Sequence, residues 1–156
     1  LYPWEDIAIE EPELATLLST IMNNQRAIIL NPAYTLLFQS KGMMKILCDL
    51  FPDSPYLLKT SFEPIKGIQQ VEKRMFGREG ANVRIIGSSG ETIEANDGPY
   101  GNFKPIYQEY VEFPKDIHGN NYQAGVFFAY EGCGLGFRRG GTILGNMAKF
   151  VGHVLR

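Results

Sequence analysis

Apolar residues recur at helical spacing in the first third of the chain. Between Leu14 and Ile21 they follow an acidic start that contains Pro12, which predicts a helix ending near Asn24. A second such pattern at 43–50 predicts a helix capped by Ser40 and ending before Pro52. The apolar run at 27–30, between these two helices, predicts a short buried strand.

From about residue 70 the pattern changes to strands separated by turns. Glycine and polar residues at 87–90 and 116–121 predict two of the turns, and the segment 146–155 fits either a helix or a strand. The length suits one domain over 1–156, in the α+β class, with an antiparallel-rich sheet and a few helices. Strands are predicted over 83–86, 92–95, 106–113, 123–129 and 135–138.

Composition excludes several kinds of protein. The net charge is −2 and the basic residues are scattered, which argues against a nucleic-acid partner. Two cysteines and two distant histidines cannot form a disulfide framework or a zinc site. There is no signal peptide and no membrane-spanning apolar run, so we expect a reduced, cytoplasmic protein. The chain opens with Leu1, so we expect it to be a piece of a longer protein.

Two lysines stand where an anion would be favoured. Lys41 lies at a predicted helix N-terminus, where the helix dipole and the unpaired amides attract phosphate; the alternative is a solvated surface lysine. Lys73 precedes the glycine-containing stretch 76–83, whose backbone can approach a ligand closely; the alternative is a charged hairpin turn.

Two further stretches carry candidate chemistry. In the strand at 106–111, Glu109 can accept a hydrogen bond from a purine amino group. An ordinary strand with one face exposed to solvent has the same sequence pattern. The glycine-rich stretch 131–141 does not open a helix, so it is not a dinucleotide-binding fingerprint. Within it Cys133 could be a nucleophile, but no histidine lies nearby in sequence to activate it, so we expect a small buried thiol. Arg138 is expected either to bind a carboxylate or to flank a turn.

In this order, these stretches resemble the synthetase part of the glutathionylspermidine synthase family, which has an ATP-grasp fold. The Arg-Glu-Gly-Ala-Asn-Val run at 78–83 and the Asp-Gly-Pro-Tyr-Gly run at 97–101 are specific in combination. The other matching stretches are 1–4, 31–32, 40–41, 50–52, Lys73, 107–109, 134–138 and 150–153.

The resemblance implies an ATP-dependent ligase that activates a carboxylate as an acyl phosphate, which an amine then attacks. In the family these small-molecule substrates are the peptide glutathione and the amine spermidine, and the cofactors are ATP and Mg²⁺. By resemblance, Arg138 lies near the reacting substrate and Asn146 lies on the amine-binding side. The residues implied in nucleotide binding are Lys41, Lys73, Gly77, Arg78, Glu79, Gly80, Gln108, Glu109, Tyr110 and Val111.

Three departures from the family pattern change this expectation. Arg74 replaces a proline after the lysine, and Asn146 replaces an aspartate, which weakens the attraction for a polyamine such as spermidine. The family's magnesium ligands and a phosphate-binding arginine lie upstream of the matching region, in an N-terminal part that this chain lacks. The chain is therefore expected to be the C-terminal portion of an ATP-grasp domain and inactive alone. Two alternatives remain: a noncatalytic nucleotide-binding or interaction module, and a ligase for a different peptide and amine.

Overall fold

A computed structural model describes residue 7 and residues 11–28, 30 and 33–154. The chain divides into two compact units, Leu1–Leu57 and Leu58–Arg156. The family-like stretches at 1–4 and 31–32, and the end of the predicted segment 146–155, lie outside the described residues.

The described part of the first unit is helical. Helix α1 begins with Pro12 at its first turn, where the missing N–H costs nothing, as the sequence predicted. The helices are α1 (Pro12–Asn23), a 3₁₀ turn (Ala33–Thr35), α2 (Leu36–Gln39) and α3 (Gly42–Leu50).

Ser40 caps helix α3, as predicted. Its backbone is extended, and its hydroxyl oxygen accepts a hydrogen bond from the Gly42 N–H at 3.2 Å. This bond satisfies one of the amides that a helix start leaves without a partner. At the other end the Phe51 N–H closes the last turn on the Leu47 carbonyl, so the helix ends before Pro52 as expected.

The strand predicted at 27–30 is wrong. Ala27, Ile28 and Leu30 have no regular structure, and Ile28 is 91% exposed. A strand needs a partner for its backbone hydrogen bonds, and the described residues of this unit contain no other strand. A short apolar run carries no periodicity that could have shown this. Residue 29 lies outside the described part.

The second unit consists of two antiparallel sheets. The first has five strands in the order β1-β5-β2-β3-β4, and the second has three in the order β6-β7-β8. Together with the helices, this confirms an α+β protein with antiparallel sheets. The strands are β1 (Thr60–Ser61), β2 (Gln70–Arg74), β3 (Arg84–Ile86), β4 (Thr92–Ala95), β5 (Pro105–Glu109), β6 (Asn121–Ala129), β7 (Glu131–Gly140) and β8 (Lys149–Val151).

Several observed strands differ in length from the predicted ones, and two were not predicted. Strand β5 ends at Glu109, not 113, because its partner β2 begins at Gln70, directly opposite. Strands β6 and β7 are longer than predicted because each pairs with the other along nearly its whole length. The final segment forms strand β8, and strands β1 and β2 were not delimited from the sequence.

The core of the five-stranded sheet is small and apolar. Ile85 and Ile106, on strands β3 and β5, are almost fully buried, and each contributes about 2 kcal/mol by leaving water. The buried Gln70 side chain bonds both the N–H and the carbonyl of Ile65, at 2.8 and 3.0 Å. These bonds fix the loop before β2 onto the sheet.

The three-stranded sheet leaves much apolar surface in water. Phe128 on β6 is 75% exposed, and the ring of Phe127 lies against Gly134 and Gly136 of β7. Because glycine has no side chain, strand β7 cannot cover its neighbours. Within the described ranges, no helix is long and apolar enough to cross a bilayer.

Candidate functional site

Lys73 lies on the central strand β2, held by a side chain from β5. Its Nζ donates a hydrogen bond to Gln108 Oε1 at 2.8 Å. The Gln108 amide nitrogen in turn donates to the Thr60 hydroxyl on β1 at 3.2 Å. Two residues that the resemblance assigned to nucleotide binding, Lys73 and Gln108, therefore meet on one face of the sheet.

The opposite face of β2 carries a buried carboxylate, Glu72. It forms an ion pair with Arg84 on β3 and a second one with Arg74, whose Nη2 lies 3.5 Å from Glu72 Oε1. The hydrogen bond to Glu72 raises the pKa of Arg84, against the lowering effect of burial. Arg74 also donates to the Phe103 carbonyl at 3.3 Å. Arg74 therefore helps to neutralise Glu72, and strand β2 continues through it opposite Pro105.

An open groove of about 580 Å³ lies beside Tyr107. Tyr107 pairs with Glu72 in the sheet, whereas Lys73 pairs with Ile106. Neighbouring residues of a strand point to opposite faces, so the groove and Lys73 are on different faces. Desolvation raises the pKa of Tyr107, and the charge of Glu72 adds to this effect. The groove lining is Phe62, Glu63, Met75, Lys104, Pro105 and Tyr107.

The loop after β2 is fastened to the turn at 97–101. Asn82 Oδ1 accepts a hydrogen bond from the Tyr100 N–H at 2.7 Å, and Asn96 donates to the Gly80 carbonyl at 3.4 Å. The Arg78 guanidinium lies 6.0 Å from the centre of the Tyr100 ring. The two runs that were specific in combination in the sequence thus contact each other, and we call this contact the clasp.

Two glycines allow the close packing of this loop, Gly98 within the clasp and Gly80 against Leu144. A Cβ on Gly98 would lie 2.5 Å from Ala81 Cβ. A Cβ on Gly80 would lie 2.8 Å from the Leu144 carbonyl oxygen, and Gly80 also has a φ of +71°. Such distances are too short for real atoms, so the packing of this loop depends on glycine at both positions. A Cβ on Gly77 would make an ordinary contact, 3.4 Å from the Tyr100 ring.

The predicted adenine-side strand is shorter than expected. Glu109 is its last residue and is exposed, while Tyr110 and Val111 lie beyond it. The Glu109 N–H donates to the Lys59 carbonyl at 2.8 Å, and the Tyr110 N–H donates to the Gln69 carbonyl at 3.1 Å. These two amides are therefore engaged within the protein, which leaves the Glu109 carboxylate as the exposed polar group.

Arg138 and the glycine loop contact the same turn. Arg138, half-buried on β7, donates to the Gly145 carbonyl at 3.1 Å, and its guanidinium lies 5.8 Å from the centre of the Phe150 ring. The Cβ position of Gly145 is 3.4 Å from the Glu79 carbonyl oxygen. Asn146 follows in this turn and is exposed. The structure thus brings Arg138, the turn and the loop together.

The remaining candidates are placed as follows. Lys41 directly precedes helix α3 in the first unit. Cys133 is exposed, so the expectation of a buried thiol is wrong; it lies at the irregularity opposite Phe127 and Phe128, and its thiol donates to the Phe127 carbonyl at 3.4 Å. Across the described ranges, no three His, Cys, Asp or Glu side chains cluster to hold a metal.

Sequence reasoning missed Thr60 and did not single out Asn82. Thr60 belongs to a two-residue strand that has no periodicity of its own. Asn82 lay inside the quoted Arg-Glu-Gly-Ala-Asn-Val run, but the bond it makes to Tyr100 spans 18 residues. Its residue type is the signal in the sequence, since asparagine tolerates the left-handed region that Asn82 adopts, with a φ of +52°.

Comparison with known proteins finds relatives that match more than half of the chain. A putative acid–amine ligase of Haemophilus influenzae is 30% identical over 135 residues, which is 80% of this chain and 34% of that protein. The bifunctional glutathionylspermidine synthetase/amidase of Escherichia coli is 28% identical over 137 residues, 85% of this chain and 21% of that protein. A trypanothione synthetase of Crithidia fasciculata is 29% identical over 87 residues, 54% of this chain and 13% of that protein.

The chain spans about a third or less of the length of these relatives, which are named as synthetases and ligases. The family described as glutathionylspermidine synthase preATP-grasp matches residues 1–156, the full length given. This match confirms the resemblance drawn from the motifs: the chain belongs to the glutathionylspermidine synthase family.

Proposed function

We propose that the complete protein is an ATP-dependent carboxylate–amine ligase, and that this chain supplies part of its ATP site within an ATP-grasp-type fold. ATP would supply the phosphoryl group that converts a carboxylate into an acyl phosphate, which the amine then attacks. The observation that carries the proposal is the placement of Lys73 on the strand that leads directly into the clasped loop. The synthetase and ligase relatives support the reaction class.

In this proposal Lys73 and Arg78 face the nucleotide phosphates. Phosphoryl transfer depends on positioning and on neutralising negative charge more than on covalent chemistry, and a lysine beside an arginine-bearing loop suits that task. Residues 77–80 act as the cover that keeps water from the acyl phosphate. The clasp holds this cover at Arg78 and at Gly80.

Lys41 is proposed as the second phosphate lysine. It precedes a helix of nine residues, Gly42–Leu50, whose first turn contains no acidic residue. A cation at this end opposes the helix dipole, and a bound phosphate would remove that conflict. This assignment rests on the resemblance and on the helix start alone.

Adenine recognition is proposed to use the exposed Glu109 carboxylate, which would accept a hydrogen bond from the exocyclic amino group. The Tyr110 N–H already donates to Gln69, so it is not proposed as the adenine donor. Tyr110 and Val111 then contribute contact area beyond the end of the strand.

The acid and the amine are proposed to bind near Arg138 and Asn146. Arginine binds a carboxylate with two parallel hydrogen bonds, and Arg138 reaches the turn that carries Asn146. An amide attracts a polycation less than an aspartate does. We therefore propose a peptide acid and an amine less highly charged than spermidine.

Magnesium is proposed to be bound by residues elsewhere in the complete protein. The residues described in the structure form no cluster of three metal-binding side chains.

Calorimetric titration of the complete gene product with ATP, with and without Mg²⁺, tests the proposal. Lys73→Ala should weaken ATP binding about tenfold to hundredfold, since a charge-assisted hydrogen bond is lost. Lys66→Ala is the matched control, because Lys66 is exposed in a turn before β2. If the unaltered protein binds no nucleotide, the ATP proposal fails and a noncatalytic interaction module replaces it.

A further inference from the structure

A chain of hydrogen bonds crosses three strands and ends at Lys73. The Lys73 ammonium donates to Gln108 Oε1 at 2.8 Å, and Gln108 Nε2 donates to Thr60 Oγ1 at 3.2 Å. The Thr60 hydroxyl then donates to the Leu58 carbonyl at 2.8 Å. Thr60 is 5% exposed, so this end of the chain is shielded from competing water.

The backbone carbonyl at one end fixes the direction of every bond. A carbonyl can only accept, so the Thr60 hydroxyl donates its one hydrogen to Leu58. The Thr60 oxygen must then accept from the amide nitrogen of Gln108, which turns the amide oxygen towards Lys73. The Lys73 ammonium can only donate, so it favours the same orientation, and the two ends of the chain agree.

The sheet supports this arrangement. Thr60 and Gln108 are direct partners across β1 and β5, and Val71 is the partner of Gln108 on β2. Lys73 lies two residues further along β2, on the same face and opposite Ile106, which is almost fully buried. Groups held on packed strands move less than groups held on loops.

We propose that Thr60 and Gln108 are positioning residues for the Lys73 ammonium, with Thr60 holding the Gln108 amide so that its oxygen stays at the ammonium. An amide oxygen holds an ammonium in place without cancelling its charge. The consequence for nucleotide binding rests on the proposed function, because only then is the fixed charge used to hold phosphate. Gln108 would thus act on the nucleotide through Lys73, and Thr60 through Gln108.

Two substitutions of Thr60 separate positioning from packing. Thr60→Val keeps the shape but removes the hydroxyl, so the Gln108 amide nitrogen loses its acceptor and the amide oxygen is no longer held at the ammonium. Thr60→Ser keeps the hydroxyl and loses a methyl group. A packing role predicts that serine is the more harmful change, whereas positioning predicts that valine is.

The first measurement needs no nucleotide. Trace acylation of the complete gene product with acetic anhydride, read by mass spectrometry, compares labelling of Lys73 with that of exposed Lys66 in the same molecules. Because only the unprotonated amine reacts, Thr60→Val should label Lys73 about threefold to tenfold faster, and Thr60→Ser should match the unaltered protein. Equal Lys73 labelling in all three proteins would overturn the inference.

The second measurement is ATP affinity of the same proteins, each with and without Lys73→Ala. Positioning predicts that Thr60→Val weakens binding only when Lys73 is present. An equal loss in the Lys73→Ala background would overturn the inference, because Thr60 would then act by another route. If labelling changes as expected but no protein binds ATP, the positioning stands and the proposed function is the part that fails.

Discussion

Asn82 combines two properties that few residues share. Its backbone has a φ of +52°, and its side-chain oxygen accepts the Tyr100 N–H at 2.7 Å. Asparagine and aspartate adopt the left-handed region with less cost than other side chains, and both offer the accepting oxygen. One residue thus shapes the loop and fastens it.

Replacing Asn82 by alanine should therefore destabilise the protein by about 1–3 kcal/mol, through backbone strain together with a lost hydrogen bond. Asn82→Asp keeps both properties and should cost much less. Urea unfolding of the complete gene product at neutral pH measures the difference. Equal stability of the two variants would show that the clasp does not depend on this side chain.

At the same scale, sequence reasoning is strongest where one residue decides a local conformation. Ser40 as a helix cap and Pro12 in a first turn could be predicted because both effects act within a few residues. The ion pairs of Glu72 could not, since its arginine partner Arg84 is brought opposite by strand pairing. For the same reason, Thr60 is invisible until β1 is placed beside β5.

The turn that precedes strand β6 is organised around one carboxylate. Asp116 accepts hydrogen bonds from the N–H groups of His118 and Asn120, at 2.9 Å each, from the Asn120 side chain and from the Tyr122 hydroxyl at 3.0 Å. The Asn120 side chain is the largest cause that holds the pKa of Asp116 well below its ordinary value of 3.8. The ionised form of the Asp116 carboxylate therefore stabilises the turn.

A folded-state pKa below the unfolded one gives stability that is present above the unfolded pKa and lost as pH falls. Asp116→Asn should thus lower stability at neutral pH, and the difference from the unaltered protein should shrink below the ordinary value of 3.8. Urea unfolding at several pH values measures this, with the exposed Asp53→Asn as control. A difference that stays constant with pH would contradict the assignment.

Among the secondary-structure elements, the predictions succeed for turns, which local sequence determines. They fail for strands, whose formation depends on a neighbouring strand to pair with. The hairpin turn at 87–90 forms as expected, with Gly87 and Gly90 bonded across it. The described residues of the predicted strand 27–30, and the end of the predicted strand 106–113, lie outside the strands of the structure. Strand β7 forms despite its glycines because β6 lies beside it.

For the whole molecule, the exposed apolar surface of β6 is the feature with the largest consequence. Val126, Phe127 and Phe128 are all more than half exposed, and patches of this kind promote association. We expect the 156-residue chain, taken alone, to self-associate in solution. Phe128→Ser should raise the monomer fraction in sedimentation, whereas Ile93→Ser, on β4, should not. A monomer without any substitution would contradict this expectation.

The clasp has a consequence for how this protein can vary in length. Its bond from the Tyr100 N–H to Asn82 joins the segments that flank the β3–β4 hairpin. Beside it, the Asn96 N–H donates to the Val83 carbonyl, which closes the base of the hairpin. Residues added at Ser88 or Ser89 would enlarge a loop that is already closed at its base, and the entropy cost of a larger loop grows only slowly with its length. We therefore expect the hairpin tip to accept insertions without a shift in the register of Lys73.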